Sequence, residues 1–205
     1  MVGSTGVATR KRRSPEQRRG EIIHAAVALF ARQGFERTTT KEIAAAAGIA
    51  EGTIYKYFAS KQDILFSFIT PEAVSDMLDL FLVRDGIDDA LVIREFLRNR
   101  FALWERHRDL MRVVFSEAMH NPTLAEGLQR MILPAIETGE RFVAHRIADG
   151  AFREMDERVA IRAVVGAALA YFLMWELLMP KAAPAIEREK LLDELTAFFL
   201  NGVKR

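Results

Sequence analysis

Hydroxyl, phenol and ammonium groups cluster in the short segment EGTIYKYF, which runs from Glu51 to Phe58. If this segment is helical, Ile54 and Phe58 are four residues apart and lie on one apolar face. The residues that then point outward or sideways are Thr53, Tyr55, Lys56 and Tyr57. Such groups contact phosphate oxygens and base edges in nucleic-acid complexes. The segment therefore indicates nucleic-acid recognition.

The starts of the neighbouring helices add groups of the same kind. Gly52 removes a side chain near a helix N-terminus, which permits close approach to a phosphate backbone, and the free N–H groups there favour anions. Lys61 opens the next predicted helix, and two threonines open the preceding one. We predict DNA contacts from Thr39, Thr40, Lys41, Glu51, Gly52, Thr53, Tyr55, Lys56, Tyr57 and Lys61. The competing interpretation is that the tyrosines are ordinary half-buried aromatics.

The surrounding pattern predicts a helix-turn-helix over residues 14–60. Ser14 with Gln17, and Thr39 with Glu42, form capping boxes that begin the first and second helices. Gly34 and Gly48 suit the left-handed positions that end them. Two short helices joined by a tight glycine-containing turn place the following helix in a DNA major groove. We expect that recognition helix at about Glu51 to Phe58.

Charge is unevenly distributed along the chain of 205 residues. Residues 1–62 hold 11 Lys and Arg against 5 Asp and Glu, and the remainder holds 18 against 23. This asymmetry favours a basic module with an anionic partner, joined to an acidic body. Residues 1–13 have no periodicity and end in RKRR, so we predict a disordered basic arm. The cluster Arg10–Arg13 could follow the DNA backbone, enter a minor groove, or be a solvated tail.

The rest of the chain, residues 61–205, is predicted to be a second helical domain. Helical spacing without strand alternation makes the fold class all-α. The expected segments are 71–83, 88–106, 109–119, 122–149, 157–179 and 186–202, with a kink or break at Pro134. The longest uncharged apolar run, Ala163–Trp175, has 13 residues and falls short of the roughly 20 that span a bilayer. We expect no membrane partner.

Composition excludes several kinds of chemistry. The chain has no cysteine, which rules out disulfides, zinc–thiolate sites and thiol nucleophiles and fits the cytoplasm. Glu21 with His24, and Glu117 with His120, have the Glu-x-x-His spacing of di-iron bundles. Glu21 and His24 fall opposite the apolar stripe of their helix, so these pairs cannot build one metal site. We predict no cofactor, no metal and no enzyme activity.

The run from about Arg18 to Ile69 resembles the tetracycline-repressor (TetR) family of bacterial transcription regulators. Its parts follow the family's order: a first helix ending in Gly-Phe, a threonine-rich start, an Ala-Gly turn, GTIYKYF, and a Ser-Lys start to helix four. Ala50 departs from the serine N-cap frequent in the family, at a cost of about 1 kcal/mol. The resemblance implies a ligand-responsive regulator that binds a palindromic operator as a homodimer. Family members include repressors and activators, and we expect a repressor.

The resemblance also implies a dimer interface and an effector pocket in the second domain. Small and apolar residues of the last two helices would form the interface: Ala163, Gly166, Ala167, Ala170, Leu195, Phe198 and Phe199. A small, hydrophobic effector would bind among Phe101, Trp104, Phe115, Met119, Phe142, Tyr171, Phe172 and Trp175. The competing interpretation is that these residues are monomer core. Other functional hypotheses are a non-specific DNA-organising protein and a helical small-molecule-binding protein or enzyme with an appended helix-turn-helix.

Overall fold

The computed structural model describes residues 13–67, 81, 88–182 and 186–204. The predicted all-α fold is confirmed, and within these ranges the only β-type pairing is one bridge between Phe152 and Lys204. The chain divides into two compact units between Leu65 and Phe66. Apart from Arg13, the predicted basic arm lies outside the described residues, as does the expected helix 71–83 apart from residue 81.

The described part of the N-terminal unit contains four helices, of which the first is the longest. They are α1 (Pro15–Gln33), α2 (Thr40–Ala46), α3 (Glu51–Ile54) and α4 (Lys61–Leu65). The first two begin at complete capping boxes, Ser14 with Gln17 and Thr39 with Glu42, as the sequence predicts. Helix α4 packs on α1 and belongs to this unit. The sequence predicts a domain boundary at residue 60, before this helix.

Glycines set the direction of the chain after each of the first two helices. Gly34 has φ 83° and Gly48 has φ 65°, so both occupy backbone conformations that favour glycine. The chain thereby turns α2 onto α1 and α3 onto α2 around a core that includes Ile22, Ile43 and Ile54, all fully buried.

Helix α3 is shorter than the sequence predicts. Regular α-helix ends at Ile54, and residues 55–57 form turns. The N–H of Tyr57 and the N–H of Phe58 both donate to the carbonyl of Ile54, at 2.9 and 3.0 Å. Ala50 provides no side-chain cap, as its residue type implies. The tight turns still leave Ile54 and Phe58 facing the core.

The second unit is a bundle of longer helices. They are α5 (Asp89–Arg106), α6 (Arg108–Ala118), α7 (Pro122–Ala148), α8 (Glu157–Tyr171), a π-helical continuation of α8 (Phe172–Leu178) and α9 (Arg188–Val203). Asp89, which is buried, accepts one hydrogen bond from the guanidinium of Arg146 at 3.0 Å, and its other oxygen lies 2.8 Å from Arg146 Nε. This ion pair joins the start of α5 to the end of α7.

Two features of this bundle differ from the sequence prediction. Helix α7 runs through Pro134 as one helix, so the proline does not split it. The last long segment also changes from α- to π-helix at Phe172. Arg108 donates to the carbonyl of Glu176 at 2.6 Å, and Arg112 donates to that of Leu177 at 3.4 Å. These side chains occupy carbonyls that an α-helix leaves without partners at its end.

Candidate nucleic-acid interface and ligand cavity

The segment after α2 separates its apolar and polar side chains as the sequence predicts. Ile54 is fully buried and Phe58 is 4% exposed, whereas Tyr55 is 55% exposed. Gly52 and Lys56 are also exposed, and Thr53 and Tyr57 are half-buried. A phenol, an ammonium and an open helix N-terminus therefore stand together on one outer face.

Thr40 links this segment to the preceding helix. Its hydroxyl donates to the Glu51 carboxylate at 2.7 Å and lies 3.2 Å from the Tyr55 hydroxyl. Three of the predicted DNA-contacting residues are thus joined by direct hydrogen bonds. The contact fixes the N-terminus of α3 against the N-terminus of α2.

Thr39 and Lys41 occupy the exposed start of α2. The hydroxyl of Thr39 accepts from the Glu42 N–H at 3.2 Å and donates to the Glu42 carboxylate at 2.9 Å. Hydrogen bonds from the Thr39 backbone and side chain lower the pKa of Glu42. Thr39 therefore acts first as a helix cap.

Lys61 has partners inside the N-terminal unit. Its Nζ donates to the carbonyls of Phe35 at 2.7 Å, Thr38 at 3.0 Å and Glu36 at 3.3 Å. The ammonium also lies 4.2 Å from the centroid of the Phe35 ring. The loop between α1 and α2 therefore holds the ammonium that we predicted to contact phosphate, and this contact remains only a prediction.

A mostly apolar cavity of about 150 Å³ lies between α5, α6, α7 and α8. Of the eight predicted pocket residues, Trp104 and Phe115 line it. Its other wall residues are Phe81, Phe96, Arg100, Leu103, Met111, Val114, Leu128, Met131, Ile132, Ala135, Ile136, Ile161, Val165 and Leu169. Arg100 is not among the predicted residues, all of which are aromatic or methionine. The available signal was its spacing, four residues after Phe96 and four before Trp104.

The remaining predicted pocket residues lie elsewhere. Phe101, Phe142 and Phe172 are at most 1% exposed and pack into aromatic clusters. Tyr171 stacks edge-on to Phe101, and Trp175 is partly exposed on the π-helix. Met119, 76% exposed, lines a separate outer groove of about 360 Å³. The structure therefore does not bring these six residues into the cavity wall.

Small residues on α8 form a solvent-exposed stripe. Ala163, Gly166, Ala167 and Ala170 are all exposed, and Val159 is 65% exposed at the start of the same face. On α9, Phe198 is 76% exposed, Leu195 is half-buried and Phe199 is buried. A groove between the two helices includes Val159, Ala163 and Phe198.

The exposed stripe belongs to the mostly apolar helical segment Glu157–Leu178. In the described part of the chain this segment is long and apolar enough to cross a bilayer, and 28% of its most apolar window is buried in the protein. Length and composition alone are weak evidence for a membrane span, because core helices of other proteins meet the same criteria. This segment is longer than the 13-residue uncharged run Ala163–Trp175 because it includes charged residues at both ends.

A profile of bacterial regulatory proteins of the tetR family matches residues 22–68, which include the whole of α2, α3 and α4. Over 162 residues the chain is 32% identical to the putative mycofactocin biosynthesis transcriptional regulator MftR of Mycobacterium tuberculosis, covering 75% of this chain and 77% of that protein. The chain belongs to the TetR family. The resemblance noted in the sequence is thereby confirmed.

Two further similarities are one short match to a curated regulator and one match to a solved structure over most of the chain. The transcriptional repressor KstR2 of Mycobacterium tuberculosis is 46% identical over 48 residues, which is 23% of this chain and 24% of that protein. A solved structure of a putative fatty acid metabolism regulator from Clostridium perfringens has a TM-score of 0.72 at 23% identity. The match covers 90% of this chain and 99% of that one.

Membership of the TetR family confirms the predicted function class, a ligand-responsive transcriptional regulator of the repressor type. Regulators of this family are DNA-binding proteins that act as dimers and respond to small molecules. The relatives of this chain named above are transcriptional regulators. Among the residues that the structure describes, no group of His, Asp and Glu side chains is arranged to hold a metal ion.

Proposed function

We propose that this TetR-family protein is a cytoplasmic repressor that binds a palindromic operator as a homodimer and releases it when a small apolar molecule enters the second unit. The observation that carries the proposal is the polarity of the segment after α2. Tyr55 and Lys56 face outward while Ile54 and Phe58 are buried beneath them. Outward phenol and ammonium groups beside an open helix N-terminus suit contacts to phosphates and bases.

Within this surface the residues would have different roles. Lys56 would contact phosphate, and Tyr55 and Tyr57 would contact phosphate or base edges. Gly52 would let the DNA backbone approach the N-terminus of α3. Thr40 and Glu51 would position that helix through their mutual hydrogen bond. Thr39, Thr53 and Lys41 would contact the backbone around it.

The exposed stripe on α8 supports the proposed homodimer. Alanine and glycine allow a second helix to approach closely, and Phe198 would add apolar area beside them. Residues of this stripe recur at three- and four-residue spacing, so they share one side of α8. A partner helix would also cover the apolar surface of Glu157–Leu178. We therefore propose that Ala163, Gly166, Ala167, Ala170, Leu195, Phe198 and Phe199 lie in or beside this interface.

The cavity would receive the effector, and α7 would carry its effect to the DNA-binding unit. Leu128, Met131 and Ile132 of α7 line the cavity. Gly127, one residue before Leu128, lies against Phe66: a Cβ at Gly127 would be 3.0 Å from Cε2 of that ring. Phe66 directly follows α4. A ligand that moves this part of α7 would displace Phe66, and coupling free energies of 1–3 kcal/mol are typical of such responses.

Selection of bound fragments from the host's own DNA tests this proposal. The expected result is a palindrome with half-sites about 34 Å apart, one DNA turn, bound by two protomers. A protein with Tyr55→Ala and Lys56→Ala should select nothing above background. As a matched control, Arg130→Ala changes an exposed cation of the second unit and should leave the selected site unchanged.

The same experiment separates the proposal from non-specific DNA organisation. Enrichment of one sequence favours the repressor, whereas uniform recovery of fragments in proportion to their length would favour a DNA-organising protein. A specific site should exceed random DNA by at least about 10³-fold in affinity. Uniform recovery would contradict the proposed function.

A further inference from the structure

One acidic residue stands among the predicted DNA contacts. Glu51 alone of these residues has a carboxylate, and the other charged members are Lys41, Lys56 and Lys61. Glu51 is half-buried in the first turn of α3. A carboxylate accepts hydrogen bonds, donates none and repels phosphate oxygens, so phosphate contacts fall to the cations, phenols and N–H groups around it. The carboxylate itself requires a partner that donates hydrogen bonds.

Two contacts place this carboxylate on the outer face of α3. Its Oε1 atom accepts from the Thr40 hydroxyl at 2.7 Å, and the same hydroxyl lies 3.2 Å from the hydroxyl of Tyr55. Tyr55 follows Glu51 by four residues, about one helical turn, and is 55% exposed. The carboxylate therefore lies on the side of the segment that carries the exposed phenol.

The hydrogen bond from Thr40 orients the carboxylate and leaves it able to accept further bonds. The two oxygens of a carboxylate together accept about four hydrogen bonds. The bond to Oε1 restricts the direction of the Glu51 side chain, because Thr40 is itself held on α2. The group remains an acceptor even where another donor of the chain binds one of its lone pairs.

The base edges in the major groove differ in what they offer to a carboxylate. Guanine presents two acceptors, N7 and O6, and thymine presents O4 and a methyl group, so neither donates a hydrogen bond. Adenine presents the N6 amine beside the N7 acceptor, which repels a second carboxylate oxygen. Cytosine presents only the donor of its N4 amine. Cytosine is therefore the base that best fits an acceptor-only side chain.

We propose that Glu51 selects one cytosine in each half-site of the operator: its carboxylate accepts a hydrogen bond from N4 of that base in the major groove, and Thr40 holds the carboxylate in place. This inference rests on the proposed function and deepens it by naming a base of the operator. Two-fold symmetry of a homodimer repeats the cytosine in both half-sites. Thr40 acts here as a positioning residue.

Selection from a pool of random DNA duplexes tests the contact, with the full-length parent protein, Glu51→Gln and Glu51→Ala compared at one salt concentration. The parent should select a palindrome with a cytosine position at which any other base lowers affinity by at least about fivefold. Glu51→Gln should change that position to adenine, because a Gln amide both donates and accepts and matches N7 and N6 of adenine. Glu51→Ala should leave the position without preference.

Three further variants separate base selection from a general loss of binding. Glu126→Gln removes an exposed carboxylate of the second unit and should select the parent sequence. Lys56→Met should lower affinity uniformly across sequences, since a phosphate contact carries no base information. Thr40→Val should weaken the preference for cytosine without replacing it by a preference for another base.

Substitutions in the DNA test the same contact without changing the protein. Replacing the selected cytosine–guanine pair by thymine–adenine removes the N4 amine and should lower the affinity of the parent protein by at least about fivefold. Replacing the guanine of that pair by hypoxanthine removes only its N2 amine, which lies in the minor groove. Affinity should then stay within about twofold, because the major-groove edge is unchanged.

The outcomes distinguish this inference from the proposed function. A palindrome that is selected unchanged by Glu51→Gln and Glu51→Ala would overturn the inference and leave the repressor intact, as would equal affinity for the thymine–adenine operator. If circular dichroism shows that Glu51→Gln does not fold, the two DNA substitutions decide. A parent protein that selects no sequence at all would overturn both.

Discussion

The hydroxyl of Thr40 on α2 donates to the carboxylate of Glu51 on α3 at 2.7 Å. This bond joins the two helices of the helix-turn-helix at their N-terminal ends, where phosphate would bind. The same Thr40 hydroxyl also lies 3.2 Å from the hydroxyl of Tyr55. The orientation of the outer phenol is thus tied to a residue on the preceding helix.

Thr40→Val should weaken operator binding because it removes this hydroxyl while preserving the shape of the side chain. A hydrogen bond of this kind contributes about 0.5–1.5 kcal/mol, so we expect a loss of roughly two- to tenfold in affinity by gel shift. Thr40→Ser keeps the hydroxyl and should bind within about twofold of the parent. A loss in Thr40→Ser without a loss in Thr40→Val would mean that the methyl group, not the hydrogen bond, matters.

Lys61→Met should destabilise the N-terminal unit. Its ammonium serves three carbonyls of the loop between α1 and α2, and leaving them without a donor costs about 1–3 kcal/mol. The expected result is a lower melting temperature with an unchanged salt dependence of DNA binding. Lys56→Met should do the reverse, lowering the slope of log affinity against log salt by about one with little change in melting. If Lys61→Met lowers the slope by one, the lysine contacts phosphate as the sequence predicts.

Gly139→Ala should destabilise the second unit. The new Cβ would lie 2.6 Å from both Cγ1 and Cδ1 of Ile161, which also lines the cavity. Overpacking costs about 1–3 kcal/mol and here outweighs the helix propensity that alanine adds. Ile161→Ala removes both contacted atoms, so the double variant should be more stable than the sum of the two single effects. Additive free energies of unfolding would refute this close packing of α7 on α8. Gly20→Ala, with no neighbour within 4 Å, is the control and should not destabilise.

Ala167→Glu should convert the dimer to a monomer, because it places a charge in the middle of the exposed stripe on α8. Sedimentation velocity would measure the change, and operator affinity should fall with it. Ala144→Glu on α7 introduces the same charge at another exposed helical position and should remain dimeric. A monomeric parent protein, or a dimeric Ala167→Glu variant, would contradict the proposed interface.

Asp156→Asn should reduce stability in a pH-dependent way. Asp156 caps α8, and its hydrogen bond with Arg158 lowers its pKa from 3.8 to about 2. A depressed carboxylate pKa stabilises the folded state above the unfolded value, and this contribution is lost as pH falls through the folded value. The difference in melting temperature should therefore be full above pH 3.8 and close toward pH 2. Glu154→Gln controls for loss of an exposed negative charge. A difference that is independent of pH would exclude the ion pair as its cause.

The N-terminal unit was largely predictable because its signals are local. Caps at Ser14 and Thr39, and glycines at 34 and 48, depend on neighbouring residues alone, and all of them appear in the structure. The length of α3 was overestimated because helical periodicity does not distinguish a helix from the consecutive turns at residues 55–57.

The ligand cavity was less predictable because it depends on which faces of four helices meet. Phe142 and Phe172 have the residue type of a pocket wall, yet both are packed against other aromatics. Arg100 has the residue type of a surface position, yet it lines the cavity. The π-helix that begins at Phe172 was also not predictable from neighbouring residues. Its carbonyls at Glu176 and Leu177 accept hydrogen bonds from Arg108 and Arg112, which lie far away in sequence.

Competition binding between the selected operator and random DNA of equal length, at one salt concentration, tests the central claim most directly. The account predicts a preference of at least about 10³-fold for the parent protein. It predicts that this preference falls by at least about tenfold when Tyr55 is replaced by phenylalanine and Lys56 by methionine, while both proteins retain the same melting temperature. An unchanged preference in that variant, or no preference in the parent, would contradict the account.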